Sequence, residues 1–164
     1  MTVIERDMAA IHSTGILVRG FLEQLQKSNK HAGWWGPKLQ GGCAVGAYVS
    51  NKLLKRTNLR SQLVMGMYEE DFGHCWVEVA LTATNVQVLD VTATQFGSYP
   101  NVLLTPVQEY LGLRFARGFT DFWYGRQAIS KLSEWSAQER PERYRHHIDK
   151  FLNVITPAQA SVAA

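Results

Sequence analysis

Cysteine is scarce in this chain: two residues in 164, too few for a disulfide framework. Both thiols are therefore expected outside any disulfide, in a reducing, cytoplasmic setting. Long apolar runs are missing as well. The longest, Ala44 to Val49, is interrupted by Gly46 and is far too short to span a bilayer. The first residues, Met1 to Asp7, mix charges without an apolar core, so neither a signal peptide nor a membrane partner is expected. Charge of one sign is lacking too. Seventeen basic residues against fourteen acidic leave +3, too weak a field to imply nucleic acid. There is no Cys-x-x-Cys, no His-x-x-x-His, no phosphate-binding glycine loop and no dinucleotide fingerprint, so no metal and no cofactor are expected.

What is present suits a packed domain, since 46% of the residues are hydrophobic and 19% charged. Residues 3–27 place Met8, Ile11, Val18, Leu22 and Leu25 at helical spacing, with Gly15 interrupting the stripe. Residues 28–42 hold four glycines and a proline and read as a long loop. A second helix is predicted from Cys43 to Arg56. Three strands follow, Gln62 to Tyr68, Gly73 to Leu81 and Val86 to Thr92, joined by turns at Glu69–Phe72 and Thr82–Asn85. Helical patterns return over Val107–Leu113, Asp121–Trp135 and Glu139–Val154. Helix, loop, helix, antiparallel strands and helices make an α+β fold, with one domain over 1–156 and a flexible tail over 157–164.

One constellation carries chemistry. Cys43 follows Gly41-Gly42 at a predicted helix start, where backbone N–H groups lower a thiol pKa and can also stabilise an oxyanion. His74 opens the strand His-Cys-Trp-Val-Glu-Val. Alternation puts His74, Trp76 and Glu78 on one face and Cys75, Val77 and Val79 on the other. The second face is apolar and reads as core, which leaves His74 on the less committed face and makes Cys75 a packing residue. Asp90, inside Val-Leu-Asp-Val, is out of place in a strand unless a partner satisfies it, and a histidine N–H across the hairpin would do so.

Gly-Gly-Cys at a helix start, then His-x-Trp-Val-Glu-Val, then Leu-Asp-Val-Thr, with sixteen residues from His74 to Asp90, resembles the transglutaminase-like branch of the papain-like cysteine superfamily. The resemblance covers residues 41–96. It implies a papain-like core in which a nucleophile helix packs on an antiparallel sheet, here with additional N- and C-terminal helices. It also implies a Cys43–His74–Asp90 triad acting on an amide bond through a thioester. Transglutaminases, peptidases, amidases and protein deamidases belong to this branch. Hydrolysis of a peptide, protein or small amide is favoured here over transfer to an amine. Cys75 stands where the family commonly has alanine, and Val91 where proline commonly follows the aspartate.

Around the triad, Gln40 and Gly42 are the candidates for oxyanion contacts, and Trp34, Trp35 and Trp76 for substrate contacts. Either loop tryptophan would equally serve to pin the loop onto the domain, and Trp76 and Glu78 read more simply as structural. The basic segment Arg140 to His147 interleaves its acids at i,i+4 spacing and reads as a solvated helix face. The rival from another class is a binding or accessory module that keeps the fold without turnover.

Overall fold

A computed structural model describes residues 1–28, 35–69, 72–113, 126–129 and 141–155. Helix α1, Val3–Ser28, starts with a capping box that the apolar stripe does not reveal. The Thr2 N–H donates to Glu5 Oε2 at 2.6 Å, and the Glu5 N–H donates to the Thr2 hydroxyl at 3.2 Å. The expected stripe is the buried face: Ile11, Val18, Leu22 and Leu25 face inward with Gly15 among them.

Helix α2 spans Cys43–Arg56, as predicted, and ends on basic Lys55 and Arg56, the charge that suits a helix C-terminus. It is buried on most of its circumference, because α1 covers one side and the sheet the other. Gly46 permits this. A Cβ there would lie 2.8 Å from Val91 Cγ2 and 2.9 Å from Leu22 Cδ1, so α2 approaches both α1 and the end of the third strand at glycine distance.

The strands are β1 (Arg60–Glu69), β2 (Phe72–Ala80), β3 (Val86–Asp90), β4 (Leu103–Pro106) and β5 (Arg126–Ile129). They form one antiparallel sheet in the order β4-β3-β2-β1-β5. The two predicted hairpins exist, and in the first the strand pairing extends as far as Glu69 opposite Phe72. In the second, the Thr82 hydroxyl accepts the Asn85 N–H at 3.0 Å, a local side-chain turn of the kind threonine favours. Sequence periodicity misses β4, whose four residues are too few to show alternation. It also assigns Arg126–Ile129 to a helix. Those residues instead add a strand to Leu63–Gly66 of β1, pairing backbone groups that would otherwise form a sheet edge. The rest of the predicted 121–135 helix, and the tail from 157, lie outside the described residues.

Two short helices complete the order: α3, Val107–Leu111, and α4, Arg145–Val154. A 3-10 turn over Pro141–Tyr144 occupies the start of the segment predicted as helix from Glu139. The α4 N-terminus is held to the body by Tyr144, whose ring meets Trp35 at 5.4 Å, and Arg143 and Arg145 to His147 are exposed, the solvated face expected of this basic segment. Among the described residues no helix is long and apolar enough to cross a membrane.

Alternation along the central strands divides the core. Val77, Val79, Leu63 and Leu89 join α1 and α2 on one face, while Val64, Trp76 and Val88 meet Tyr110 of α3 on the other. The expectation that the His74 face is less committed to packing is therefore corrected. Trp76 is sealed against Tyr110 of α3, because the segment after β4 folds back over that side, and Glu78 is equally buried.

Gly46→Ala tests the close approach. Alanine gains about 1 kcal/mol in helix propensity, yet its methyl meets two buried side chains that have no room to withdraw. A net loss of about 1–3 kcal/mol, read as a lower melting temperature, is the expected outcome.

Candidate functional site

The chain reaches Cys43 through a constrained approach. Lys38 (φ 56) and Leu39 (φ 64) adopt left-handed backbone, a cost of order 1–3 kcal/mol each, and Leu39 is buried as an anchor. Gly41 (φ 88) makes the following bend, where a side chain would be strained. Gly42 is the N-cap of α2 and offers no side chain to the first-turn N–H groups, so the helix opens uncapped beside the Cys43 sulfur. Its Cβ would sit 3.1 Å from the Leu39 carbonyl and 3.4 Å from the Trp35 ring, so glycine also lets that indole close over the helix start.

The β2–β3 ladder ends at the pair Val77↔Leu89, and His74 and Cys75 lie beyond that last rung. Cys43 meets β2 there. Its thiol is buried beside Cys75 in one core cluster and lies close enough to Cys75 and to the His74 ring for both to act on it. Cys75 is in the buried core, as expected from its face, and Cys43 is its neighbour there. Strand parity puts the two side chains of β2 on opposite faces, and the start of α2 lies near both where β2 has run past its last rung with β3.

Asp90 ends β3 on the His74 face. The two are bonded, His74 Nε2 to Asp90 Oδ2 at 2.7 Å, with both side chains 1% exposed or less. The remaining lone pairs of the carboxylate are filled locally. The Thr92 N–H donates to Oδ1 at 2.8 Å, the Thr92 hydroxyl at 3.1 Å, and the Tyr110 hydroxyl donates to Oδ2 at 2.9 Å. With Nε2 engaged, Nδ1 is the ring nitrogen left for other partners.

Gln95 meets the same nitrogen, its amide nitrogen 3.1 Å from His74 Nδ1. It belongs to the 3-10 turn Ala93–Phe96 directly after Asp90, and its neighbour Phe96 stands edge-on to the His74 ring at 4.8 Å. Arg19 of α1 secures that turn, donating to the Val91 carbonyl and the Thr94 hydroxyl, both at 2.9 Å, while Glu23 accepts from its Nε at 2.7 Å. Tyr110 and Arg19 escape sequence reasoning because each reaches the site from outside residues 41–96, and Gln95, inside that stretch, escapes it too. The one legible signal was Gln95, five residues past the aspartate.

The other expected residues divide. Gly42 and Trp35 flank Cys43, but Trp35 is buried in the core against Gly42 and Tyr144, which makes it a pin for the loop. Trp76 is fully buried, 5.2 Å from Tyr110, and its indole N–H donates to Glu78 at 3.2 Å, so it is corrected from substrate contact to core. Glu78 is a structural acceptor that also takes the Gln62 amide at 3.3 Å. Gln40 does not join the cluster. It is exposed and its amide lies over Gly36, because the Gly41 bend separates it from Cys43. Trp34 lies outside the described residues. Among the described residues no group of three or more His, Cys, Asp or Glu is placed to hold a metal.

The electrostatics follow from the contacts. The hydrogen bond from Cys75 and the hydrogen bond and charge of His74 outweigh burial and hold the Cys43 thiol well below its ordinary value. Burial alone would depress His74, but the charge and hydrogen bond of Asp90 raise it to about 10. Burial pushes the Asp90 carboxyl up, and the His74 charge, with the bonds from His74, Thr92 and Tyr110, reverses this and lowers it. Burial and the Asp90 charge push the Tyr110 hydroxyl well up, so it remains a donor. Each of these contacts acts in the same sense, favouring a thiolate, an imidazolium and a carboxylate in series.

No family model, no curated protein and no solved structure matches the chain. What the cluster can do is decided by its own side chains: a thiolate beside an acid that can give and retake a proton is equipped for nucleophilic attack on a carbonyl.

Two pH dependences follow. The alkylation rate of Cys43 by iodoacetamide rises to its plateau well below the ordinary thiol value of 9.0, and His74→Gln moves that midpoint upward. Asp90 is depressed in the folded state, so its stabilisation is complete above its ordinary value of 3.8 and is lost as pH falls through the folded value. The melting-temperature advantage of the wild type over Asp90→Asn therefore shrinks on acidification below 3.8.

Proposed function

We propose that the protein is a thiol hydrolase or acyl transferase acting on an amide bond, with Cys43 as nucleophile, His74 as acid and base, and Asp90 as the group that orients and charges the imidazole. The observation that carries this reading is the unbroken contact series from the Cys43 sulfur through His74 to the Asp90 carboxylate. A buried carboxylate that served packing alone would need partners, but not a thiolate at the far side of one of them.

In this mechanism the Cys43 sulfur attacks the substrate carbonyl carbon. The first-turn N–H groups of α2, which Gly42 leaves uncapped, receive the developing oxyanion. His74 gives its Nδ1 proton to the departing amine as the C–N bond breaks, leaving a thioester on Cys43. A water molecule then loses a proton to Nδ1 and attacks the thioester, which releases the acid and restores the thiolate. An amine in place of water completes acyl transfer by the same steps. Gln95 and Phe96, half-buried and exposed respectively, lie between His74 and the surface, so the carbonyl enters by displacing them.

The finer fold reading is likewise a proposal. A nucleophile helix packed on an antiparallel sheet, with the histidine and aspartate on adjacent strands, supports a papain-like core of the transglutaminase-like kind. The burial of Cys43 and His74, 2% and 1% exposed, favours the rival reading of a non-catalytic module. Turnover separates the two.

Screening peptide, glutamine and small-amide donors with water or an amine as acceptor should reveal turnover that Cys43→Ala abolishes. His74→Ala should cost about 10²–10⁴-fold in rate and should trap an acyl adduct on Cys43, seen by intact mass. Asp90→Ala strands the His74, Thr92 and Tyr110 donors and should cost about 3–5 kcal/mol of stability besides activity. Unchanged turnover in a folded Cys43→Ala variant would end the covalent mechanism.

A further inference from the structure

Cys75 forms and breaks no bond in that mechanism, although it helps to hold the Cys43 thiol below its ordinary value, and its neighbours Val77 and Val79 make this face of β2 apolar. Its thiol nevertheless meets the Cys43 sulfur, and neither residue is in a disulfide. Cys43 is the first residue of α2 and Cys75 lies on β2 just beyond the β3 ladder, so the pair joins two elements that sequence separates widely. We propose that Cys43 and Cys75 are a reversible redox pair in which peroxide converts the nucleophile into a Cys43–Cys75 disulfide. The proposal rests on Cys43 being the nucleophile, but it requires no amide turnover.

The chemistry balances without another component. The Cys43 thiolate attacks one peroxide oxygen, the O–O bond breaks, and the departing hydroxide takes the His74 proton to leave as water. Cys43 is then a sulfenic acid, oxidised by two electrons. Cys75 gives up its proton as its sulfur attacks the Cys43 sulfur. The S–O bond breaks and the hydroxide leaves with that proton as a second water. Two thiols and one peroxide become one disulfide and two waters.

Geometry favours closure at this place. A disulfide needs its sulfurs about 2.05 Å apart, and these two are neighbours in one buried cluster where α2 packs on β2, one of them on the uncapped first turn of the helix. Burial of both thiols, each 2% exposed, excludes a protein-sized oxidant and leaves the reaction to a small one. The same burial keeps Cys75 nearest to any sulfenic acid formed on Cys43. Closing the bond draws the Cys43 sulfur from His74 and removes the thiolate.

The test treats the full, reduced chain with a small excess of hydrogen peroxide. Intact mass should fall by about 2 Da as two hydrogens are lost, a digest should contain the Cys43 and Cys75 peptides linked, and dithiothreitol should restore Cys43 alkylation. Cys75→Ala and Cys75→Ser, checked for an unchanged melting temperature, should instead give a Cys43 sulfenic acid that dimedone captures. Without dimedone it should advance to a sulfinic acid that dithiothreitol does not reverse. A wild type that goes to the sulfinic acid with no linked peptide, or that links Cys43 only between molecules, overturns the proposal. Disulfide formation in a protein that turns over no amide donor leaves the redox pair standing and defeats the hydrolase reading. Turnover with no disulfide does the reverse.

Discussion

A carboxylate without water around it cannot stand alone, and the fold is organised about meeting that demand at Asp90. Its two oxygens take four hydrogen bonds from three residues on three different elements: His74 on β2, Thr92 just beyond β3 and Tyr110 on α3. Leaving a buried charge unpaired costs several kcal/mol, so these elements are held in one arrangement by a single side chain. The imidazole benefits as one of the four donors. Its orientation comes from satisfying the charge, and its raised proton affinity comes from being near it.

Cys43 is placed by different forces. Its helix lies between α1 and the sheet because Gly46 lets three apolar surfaces converge, and the preceding turn is held in left-handed backbone by the burial of Leu39. Polar chemistry thus sets the histidine and aspartate, whereas packing sets the thiol. Arg19 joins the two systems. It reaches from α1 to the turn after β3, so the helix that covers the nucleophile also steadies the residues that flank the base.

Much of this was legible in the sequence, and the part that was not has a physical explanation. Helix α2 and the three central strands follow from apolar spacing, because they are long enough for a period to repeat. Four-residue strands such as β4 and β5 are defined by the partner they pair with, and a partner is a tertiary fact. Cys43, His74 and Asp90 stood out as polar residues in apolar or glycine-rich settings. Gln40 stood out on proximity along the chain alone, and the Gly41 bend turns it away. Tyr110 and Arg19 are ordinary residues on ordinary helices, and only folding brings them to Asp90 and to its turn. For Cys75, strand parity placed it rightly in the core with Val77 and Val79, and only the packing of α2 on β2 makes Cys43 its neighbour.

The contact between Gln95 and His74 has a consequence for how the ring can change its protonation state. A neutral imidazole offers a lone pair at Nδ1, and an imidazolium offers an N–H; a carboxamide carries a donor and an acceptor of nearly equal size on one flat group. A half-turn about the last bond of Gln95 therefore matches it to either form while the backbone and the neighbouring Phe96 stay in place. Glutamate would suit only the charged ring, and leucine neither. Few residue types are compatible with position 95, and the reason is the symmetry of an amide, a property that neither size nor polarity alone captures.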